Sequence, residues 1–260
     1  MHNSNTARLL CIDIGNSQIS IGCFEREKLE REFLLKTDTG RTADEYAALL
    51  LPLLEREAFP ASSISSGVVC SVVPQLTAVF SEVYAKYFAV TPLVLGPGCK
   101  TGIALKIAEP SSLGPDRLAN AVAVRALYGS PALVVDFGTA TSFDVVGADG
   151  AYLGGAIAPG VLAATEGLIS RTARLPHIEL QWPKSVLGRT TAAAMQSGSM
   201  IGYMCLVDGL ISRLEKEVGT FAYIVATGHQ AKEFISHSER LKTYEPALTL
   251  HGMRLVAEMQ

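Results

Sequence analysis

The sequence predicts an α/β fold of two domains that share one element order, βββαβαβ. Three observations carry this. Triplets of short apolar strands occur twice, over residues 8–37 and 132–158, each followed by alternating helical and strand-like patterns. The first strand of each triplet ends in the same way: Asp13-Ile14-Gly15-Asn16-Ser17 in one half and Asp136-Phe137-Gly138-Thr139-Ala140 in the other. The composition of the 260-residue chain, 48% hydrophobic with 18% charged residues and 23 glycines, suits an ordered α/β protein with one large core or two smaller ones.

Residues 8–15, 18–25 and 28–37 read as three strands joined at Gly15-Asn16 and at 25–27. Thr42 or Asp44 caps a helix running to about residue 58, which Pro52 should kink or stop early. A buried strand at 64–73, a helix at 74–88 opening on Pro74 and a strand at 92–96 complete the first order. The mixed charges of residues 26–32 suit an exposed hairpin edge. A helix over 116–128 leads to the second triplet, at 132–139, 141–147 and 151–158. Helices follow within 161–170 and 190–218, then a strand at 221–227, a helix near 230–237 and a last helix at 251–258. The domains are expected at 1–117 and 118–260.

Composition narrows the function. A net charge of −3 without a dense Lys/Arg stripe gives no footprint for a nucleic-acid partner. No stretch approaches the roughly 18 apolar residues that span a bilayer, and Asp13 interrupts the only apolar run near the start. A cytoplasmic protein without a membrane partner is expected. The five cysteines are scattered without a CxxC pair, and Cys11, Cys23 and Cys70 lie in apolar strand-like runs, as small hydrophobes do. The histidines lack metal-ligand spacing; His229 and His237 read as a solvated pair and Trp182 as a packing residue.

A strand ending in Asp-x-Gly places a carboxylate at the mouth of a sheet and lets the backbone turn close to a ligand. Backbone N–H groups and the Asn16, Ser17, Thr139 and Thr141 side chains can donate to phosphate oxygens, while the carboxylate holds a cation directly or through water. Either turn alone is also an ordinary β-turn composition; their recurrence at equivalent places favours a phosphate-binding role. Gly114-Pro115-Asp116-Arg117 opens the helix between the halves. Asp116 there is either a first-turn carboxylate complementing the helix dipole or a general base for a hydroxyl attacking a γ-phosphate. Arg117 can pair bidentately with a carboxylate or phosphate. Gly154, Gly155, Pro159 and Gly160 read mainly as strand-to-helix punctuation.

These motifs, with Asp136-Phe137-Gly138-Thr139-Ala140-Thr141 and Gly154-Gly155-x-Ile157-x-Pro159-Gly160, resemble in order and spacing those of type III pantothenate kinases, from Leu9 to about Gly228. The resemblance implies two actin-like (ribonuclease H-like) domains with a nucleotide cleft between them. It implies a homodimer that phosphorylates pantothenate with ATP in the first step of coenzyme A synthesis, using Mg²⁺ and a monovalent cation, K⁺ or NH₄⁺. Carried over, Asp13, Ile14, Gly15, Asn16, Ser17, Gln18, Ile19, Ser20 and Thr139 would bind ATP, with Asp13 facing Mg–ATP directly or through water. Asp116 would be the catalytic base. Gly114, Pro115, Asp116, Arg117, Thr191 and the residue at Ile107 would contact pantothenate, and Asp136 would hold the monovalent cation.

Three positions depart from the family pattern. Ile107 stands where the family has a substrate-contacting tyrosine, His229 replaces the second glycine of a Thr-Gly-Gly near the adenine, and Ser17 replaces a threonine while keeping its hydroxyl. Two other readings compete: another phosphotransferase or phosphohydrolase of the same superfold, and a non-catalytic nucleotide-binding accessory protein. The intact set of Asp13, Asp116 and Asp136 favours the enzyme.

Overall fold

Each of the two compact units is built around a central strand with an antiparallel neighbour on one side and a parallel neighbour on the other. The computed structural model describes residues 8–260. One unit takes in the chain up to Ala126 together with Ala247–Gln260, and the other is Leu127–Pro246. The expected boundary after residue 117 falls inside a helix instead. The C-terminal segment joins the first unit because its helix packs on that unit's sheet, where Gly22 leaves room for Leu250.

The first unit contains β1 (Arg8–Ile14), β2 (Gln18–Glu25), β3 (Lys28–Lys36), α1 (Ala43–Arg56), β4 (Ser66–Ser71), α2 (Pro74–Val83), β5 (Leu93–Val94) and α3 (Pro115–Leu127). The sheet order is β3-β2-β1-β4-β5. The mixed-charge segment lies in the hairpin that leads into the edge strand β3. Leu10, Ile12, Ile14, Ile19 and Ile21 alternate into one core with Tyr46, Leu50, Leu76 and Phe80.

Thr42 caps α1 in a capping box: its side chain accepts from the Glu45 N–H, and the Glu45 carboxylate accepts from the Thr42 N–H at 2.8 Å. The helix runs through Pro52 to Arg56 rather than stopping. Pro52 and Ala48, the residue whose carbonyl loses its bond, both lie on the exposed side, while Tyr46, Ala47, Leu50 and Leu54 stay anchored in the core. The helix expected over 74–88 divides into α2 and a π-helical turn, Tyr84–Phe88, that ends at Ala89 with φ 55°. Tyr84 is fully buried there and donates to the Leu10 carbonyl at 2.7 Å.

The second unit repeats the plan with β6 (Ala132–Phe137), β7 (Ala140–Val146), β8 (Tyr152–Pro159), α4 (Val161–Ser170), α5 (Thr191–Ser197), α6 (Tyr203–Val218), β9 (Tyr223–Thr227), α7 (Ala231–Ile235) and β10 (Thr243–Tyr244). Its sheet order is β10-β9-β6-β7-β8, the counterpart of the first. Leu133, Val135, Phe137, Phe143 and Val145 form its core with Tyr203, Val207, Ile211 and Phe234. Trp182 is a packing residue: it meets Phe234 edge-on, stacks on His237 at 3.6 Å, and donates from Nε1 to the Glu233 carbonyl at 3.1 Å. The last helix, α8 (Leu248–Glu258), starts one turn earlier than expected. Its Gly252 sits so close to α3 that a Cβ there would lie 2.0 Å from the Ala119 carbonyl oxygen.

Candidate active site

Asp13 is the penultimate residue of β1. Because Leu10, Ile12 and Ile14 face the core, strand alternation sends Asp13 to the opposite face. Its register partners are Ser20 on β2 and Cys70 on β4. In the following turn the Gly15 N–H donates to the Gln18 carbonyl at 3.0 Å. Thr37, just past β3, braces the turn: its hydroxyl donates to the Gly15 carbonyl at 2.7 Å and its N–H to the Ser17 carbonyl at 3.1 Å. Asn16, Ser17 and Gln18 are exposed at the tip. Ile14 and Ile19 are fully buried, so these two can serve a ligand only through their backbone.

Cys70 is fully buried, and its pKa lies well above the usual thiol value. Burial is the largest cause; the nearby charges of Asp13 and Asp116 follow, and the thiol donates a hydrogen bond to Asp13. The fold therefore gathers Asp13 and Asp116 around one neutral thiol. Asp116 lies in the first turn of α3, where the Gly114 carbonyl accepts from the Leu118 N–H at 3.1 Å. Its carboxylate folds back over Gly114: a Cβ at residue 114 would lie 2.5 Å from Asp116 Oδ1. A side chain at residue 114 would displace the Asp116 carboxylate from this position. Pro115, Arg117 and Ile107 are half-buried.

In the second unit Asp136 occupies the equivalent penultimate place in β6, paired with Ser142 on β7 and Thr227 on β9. The Gly138 N–H donates to the Ala140 carbonyl at 3.0 Å, leaving Thr139 exposed at the tip. Two glycines hold this turn. Gly160 donates its N–H to the Thr139 carbonyl at 3.0 Å, and a Cβ on it would lie 2.3 Å from the Gly138 oxygen. Gly228 follows β9 with φ +86°, and a Cβ there would come within 2.6 Å of Asp136 Oδ1 and 2.5 Å of the Phe137 oxygen. Gly160 is thus a support of the turn as well as punctuation.

On the core side of the turn, the hydroxyls of Thr141 and Tyr203 are hydrogen bonded to each other. Burial pushes the Tyr203 pKa up to about 12; the bond from Thr141 opposes this and the charge of Asp136 adds to it. Thr191 is exposed at the start of α5, directly after Thr190, which caps the helix by accepting from the Ala193 N–H. His229 is exposed, and the protein around it lowers its pKa from the ordinary histidine value by desolvation. Sequence reasoning missed Cys70 and Tyr203 as parts of these sites, and read Gly228 within a motif near the adenine rather than as a support of the Asp136 turn. The spacing of Cys70 carried no signal, whereas Gly228 directly after an apolar strand was a readable one.

The type III pantothenate kinase model matches residues 9–213. The chain belongs to the type III pantothenate kinase family. It is 42% identical over 254 residues to a type III pantothenate kinase of Dehalococcoides mccartyi strain CBDB1, covering 98% of this chain and 97% of that one. To the type III pantothenate kinase of Moorella thermoacetica it is 44% identical over 250 residues, covering 96% and 98%. Among solved structures, a Campylobacter jejuni protein described as a Baf family transcriptional activator superposes with TM-score 0.61 at 19% identity, covering 96% and 97%. An activator of 2-hydroxyisocaproyl-CoA dehydratase from Clostridium difficile, solved with ADPNP, gives 0.56 at 12%, covering 97% and 95%. At such identities the two structures speak to the fold alone, which is that of the actin-like ATPases, as the motifs of this type III pantothenate kinase family member imply.

Proposed function

We propose that this chain transfers the γ-phosphate of ATP to the primary hydroxyl of pantothenate, opening coenzyme A synthesis in the cytoplasm. The observation that carries this reading is the nearly full-length family match in a chain that keeps all three carboxylates at the ends of their elements. Asp116 takes the hydroxyl proton as that oxygen attacks the γ-phosphorus. The new O–P bond forms as the bond to the β–γ bridging oxygen breaks, and ADP leaves. Arg117 pairs with the pantothenate carboxylate, and Gly114, Pro115 and Ile107 line the same substrate; Thr191 is a substrate contact carried over from the family pattern. Ile107 fills volume there but offers no hydroxyl.

The Asp13 turn, through the exposed donors of Asn16, Ser17 and Gln18, the backbone of Ile14, Gly15 and Ile19, and Ser20, binds ATP phosphates; Thr139 is the counterpart donor of the Asp136 turn. The donors at both turns are carboxylates with carbonyl and hydroxyl oxygens nearby, a hard set that fits Mg²⁺ and K⁺ or NH₄⁺. Asp13 would hold Mg²⁺ with the nucleotide, directly or through water, and Asp136 the monovalent cation. These ions supply positive charge that offsets the phosphates. An ADP-release assay with ATP, Mg²⁺ and pantothenate, with and without K⁺, tests the reading. Turnover with a different hydroxyl acceptor but none with pantothenate would refute the substrate.

We also propose a homodimer through the second unit. Gly202, just before α6, and Cys205, Leu206 and Gly209 on it are exposed, and the three glycines at 198, 202 and 209 have open space where a side chain would stand. The neighbouring α4, tied to the π-helical turn before α6 by a Thr165–Ser199 hydroxyl bond of 3.0 Å, exposes Leu162 and Leu168, and the loop before α5 exposes Val186 and Leu187. Exposed apolar surface of this kind is typical of an interface. Sedimentation equilibrium decides: a monomer at micromolar concentration refutes it. No helix of the described residues is long and apolar enough to cross a membrane.

A further inference from the structure

The hydroxyl pair behind the Asp136 turn has no role in the reading above. Thr141 is fully buried and pairs across the ladder with Phe137, so its side chain lies on the core face while Asp136 projects from the other. Tyr203 is the first residue of α6, and α5 reaches it through a π-helical turn, Gly198–Gly202. A π turn accommodates about one residue more than an α turn, which rotates the side chains that follow by about 100°. The Tyr203 ring then sits against Phe137 at 6.2 Å and Phe234 at 5.0 Å, and its hydroxyl meets Thr141.

The ring is accounted for by core packing, and a phenylalanine would fill the same space. The hydroxyl is not. Burying a hydroxyl is costly unless it is bonded, and here two are buried to bond each other at the base of one hairpin. Gly160 and Gly228 constrain that hairpin through its backbone at the Gly138 and Phe137 oxygens. The Thr141–Tyr203 bond adds a constraint on the remaining side, tying the start of β7 to α6.

We infer that Tyr203 is a positioning residue for the Asp136 turn, holding the hairpin from Phe137 to Thr141 through the Thr141 hydroxyl so that Asp136 and Thr139 keep their placement for the nucleotide and its cation. The inference rests on the proposed ATP-binding role of that turn. It assigns no contact between Tyr203 and ligand; the residue acts through the backbone of its neighbour.

The test is calorimetric titration of the full-length protein with MgATP in K⁺, with thermal melting recorded for every variant. Tyr203→Phe and Thr141→Val should each weaken ATP binding about three- to tenfold, the usual range for losing one such hydrogen bond. The double variant should be no weaker than either single one, because both remove the same bond. Thr141→Ser, which keeps the hydroxyl, should bind like the parent. Unchanged ATP affinity in Tyr203→Phe, whatever its melting temperature, overturns the role, and so do losses that add in the double variant. If Tyr203→Phe does not fold, Thr141→Val against Thr141→Ser decides, and equal affinities overturn it. A parent protein that binds no MgATP overturns the nucleotide reading and this role with it. A parent that binds beside an unaffected Tyr203→Phe overturns this role alone.

Discussion

Replacing Gly228 by alanine tests how tightly the Asp136 turn is held. The new methyl group would stand 2.5 Å from the Phe137 oxygen and 2.6 Å from Asp136 Oδ1, well inside the 3.4 Å at which ordinary contact begins. One neighbour is backbone in a paired strand and cannot retreat without disturbing the β6–β7 ladder, where Phe137 pairs with Thr141. The other is a carboxylate, which can rotate. Alanine at φ +86° adds its own cost of about 1–2 kcal/mol, and overpacking typically adds about 1–3 kcal/mol. The combined loss of about 2–5 kcal/mol corresponds to a melting temperature lower by about 5–15 °C for a chain of this size. Relief by rotation of Asp136 should also weaken activation by K⁺. The control is Gly98→Ala, which meets a positive φ of 98° but has nothing within 4 Å of the new methyl. Scanning calorimetry and a K⁺ titration of ADP release measure both effects. If Gly228→Ala melts no lower than Gly98→Ala and keeps the parent K⁺ curve, the close approach does not constrain the turn.

Asp116→Asn is nearly isosteric and should lower turnover by about 10²–10⁴-fold, as loss of a general base does, with ATP affinity and melting nearly unchanged; retention of most turnover would leave Asp116 as a first-turn carboxylate only. Asp136→Asn should abolish most activation by K⁺, and Na⁺ should replace K⁺ poorly in the parent, both read from activity titrations at constant ionic strength balanced with choline; an identical K⁺ curve in the variant would remove the ion from Asp136. Tyr84→Phe removes the buried bond to the Leu10 carbonyl and should cost about 1–2 kcal/mol of stability, measured by urea unfolding, with no change in the KM for ATP; full stability would mean that the phenol contributes nothing to anchoring β1.

The repeated βββ order and the two Asp-x-Gly turns were legible because strand periodicity and turn chemistry are local. So were the helix opening at Pro74 and a cap at Thr42 or Asp44, of which the structure uses Thr42. The two-residue strand β10 behaves differently: it is defined by pairing with β9, and too few residues alternate to announce it, whereas β5 lies within the strand expected at 92–96. The early stop offered for Pro52 does not occur, because a proline's cost depends on whether its orphaned carbonyl faces water, and that is decided by which side of α1 packs. Both π-helical turns, at Tyr84–Phe88 and Gly198–Gly202, escaped for a related reason. They place Tyr84 and Tyr203 where tertiary partners await them, and nothing in the local composition encodes the extra residue. Cys70 was placed correctly as a buried strand cysteine, but its proximity to Asp13 and Asp116 needed the parallel register of β1 and β4.

The duplication explains why two identical-looking turns need not hold the same ion. In both units the aspartate is penultimate on the central strand and is flanked by one residue from each neighbour, Ser20 and Cys70 for Asp13, Ser142 and Thr227 for Asp136. The first carboxylate accepts a hydrogen bond from a thiol held neutral by burial, and Asp116 stands nearby. Additional positive charge is favourable there, which suits a divalent ion arriving with phosphates. At the second, Asp136 Oδ1 and the Phe137 carbonyl oxygen both lie close to the backbone of Gly228. The buried Asp144 carboxylate also belongs to this side of the sheet, accepting at 2.7 Å from the hydroxyl of Ser142, the register partner of Asp136. The proposed division of labour between Asp13 and Asp136 rests on the flanking residues, which the shared Asp-x-Gly pattern does not contain.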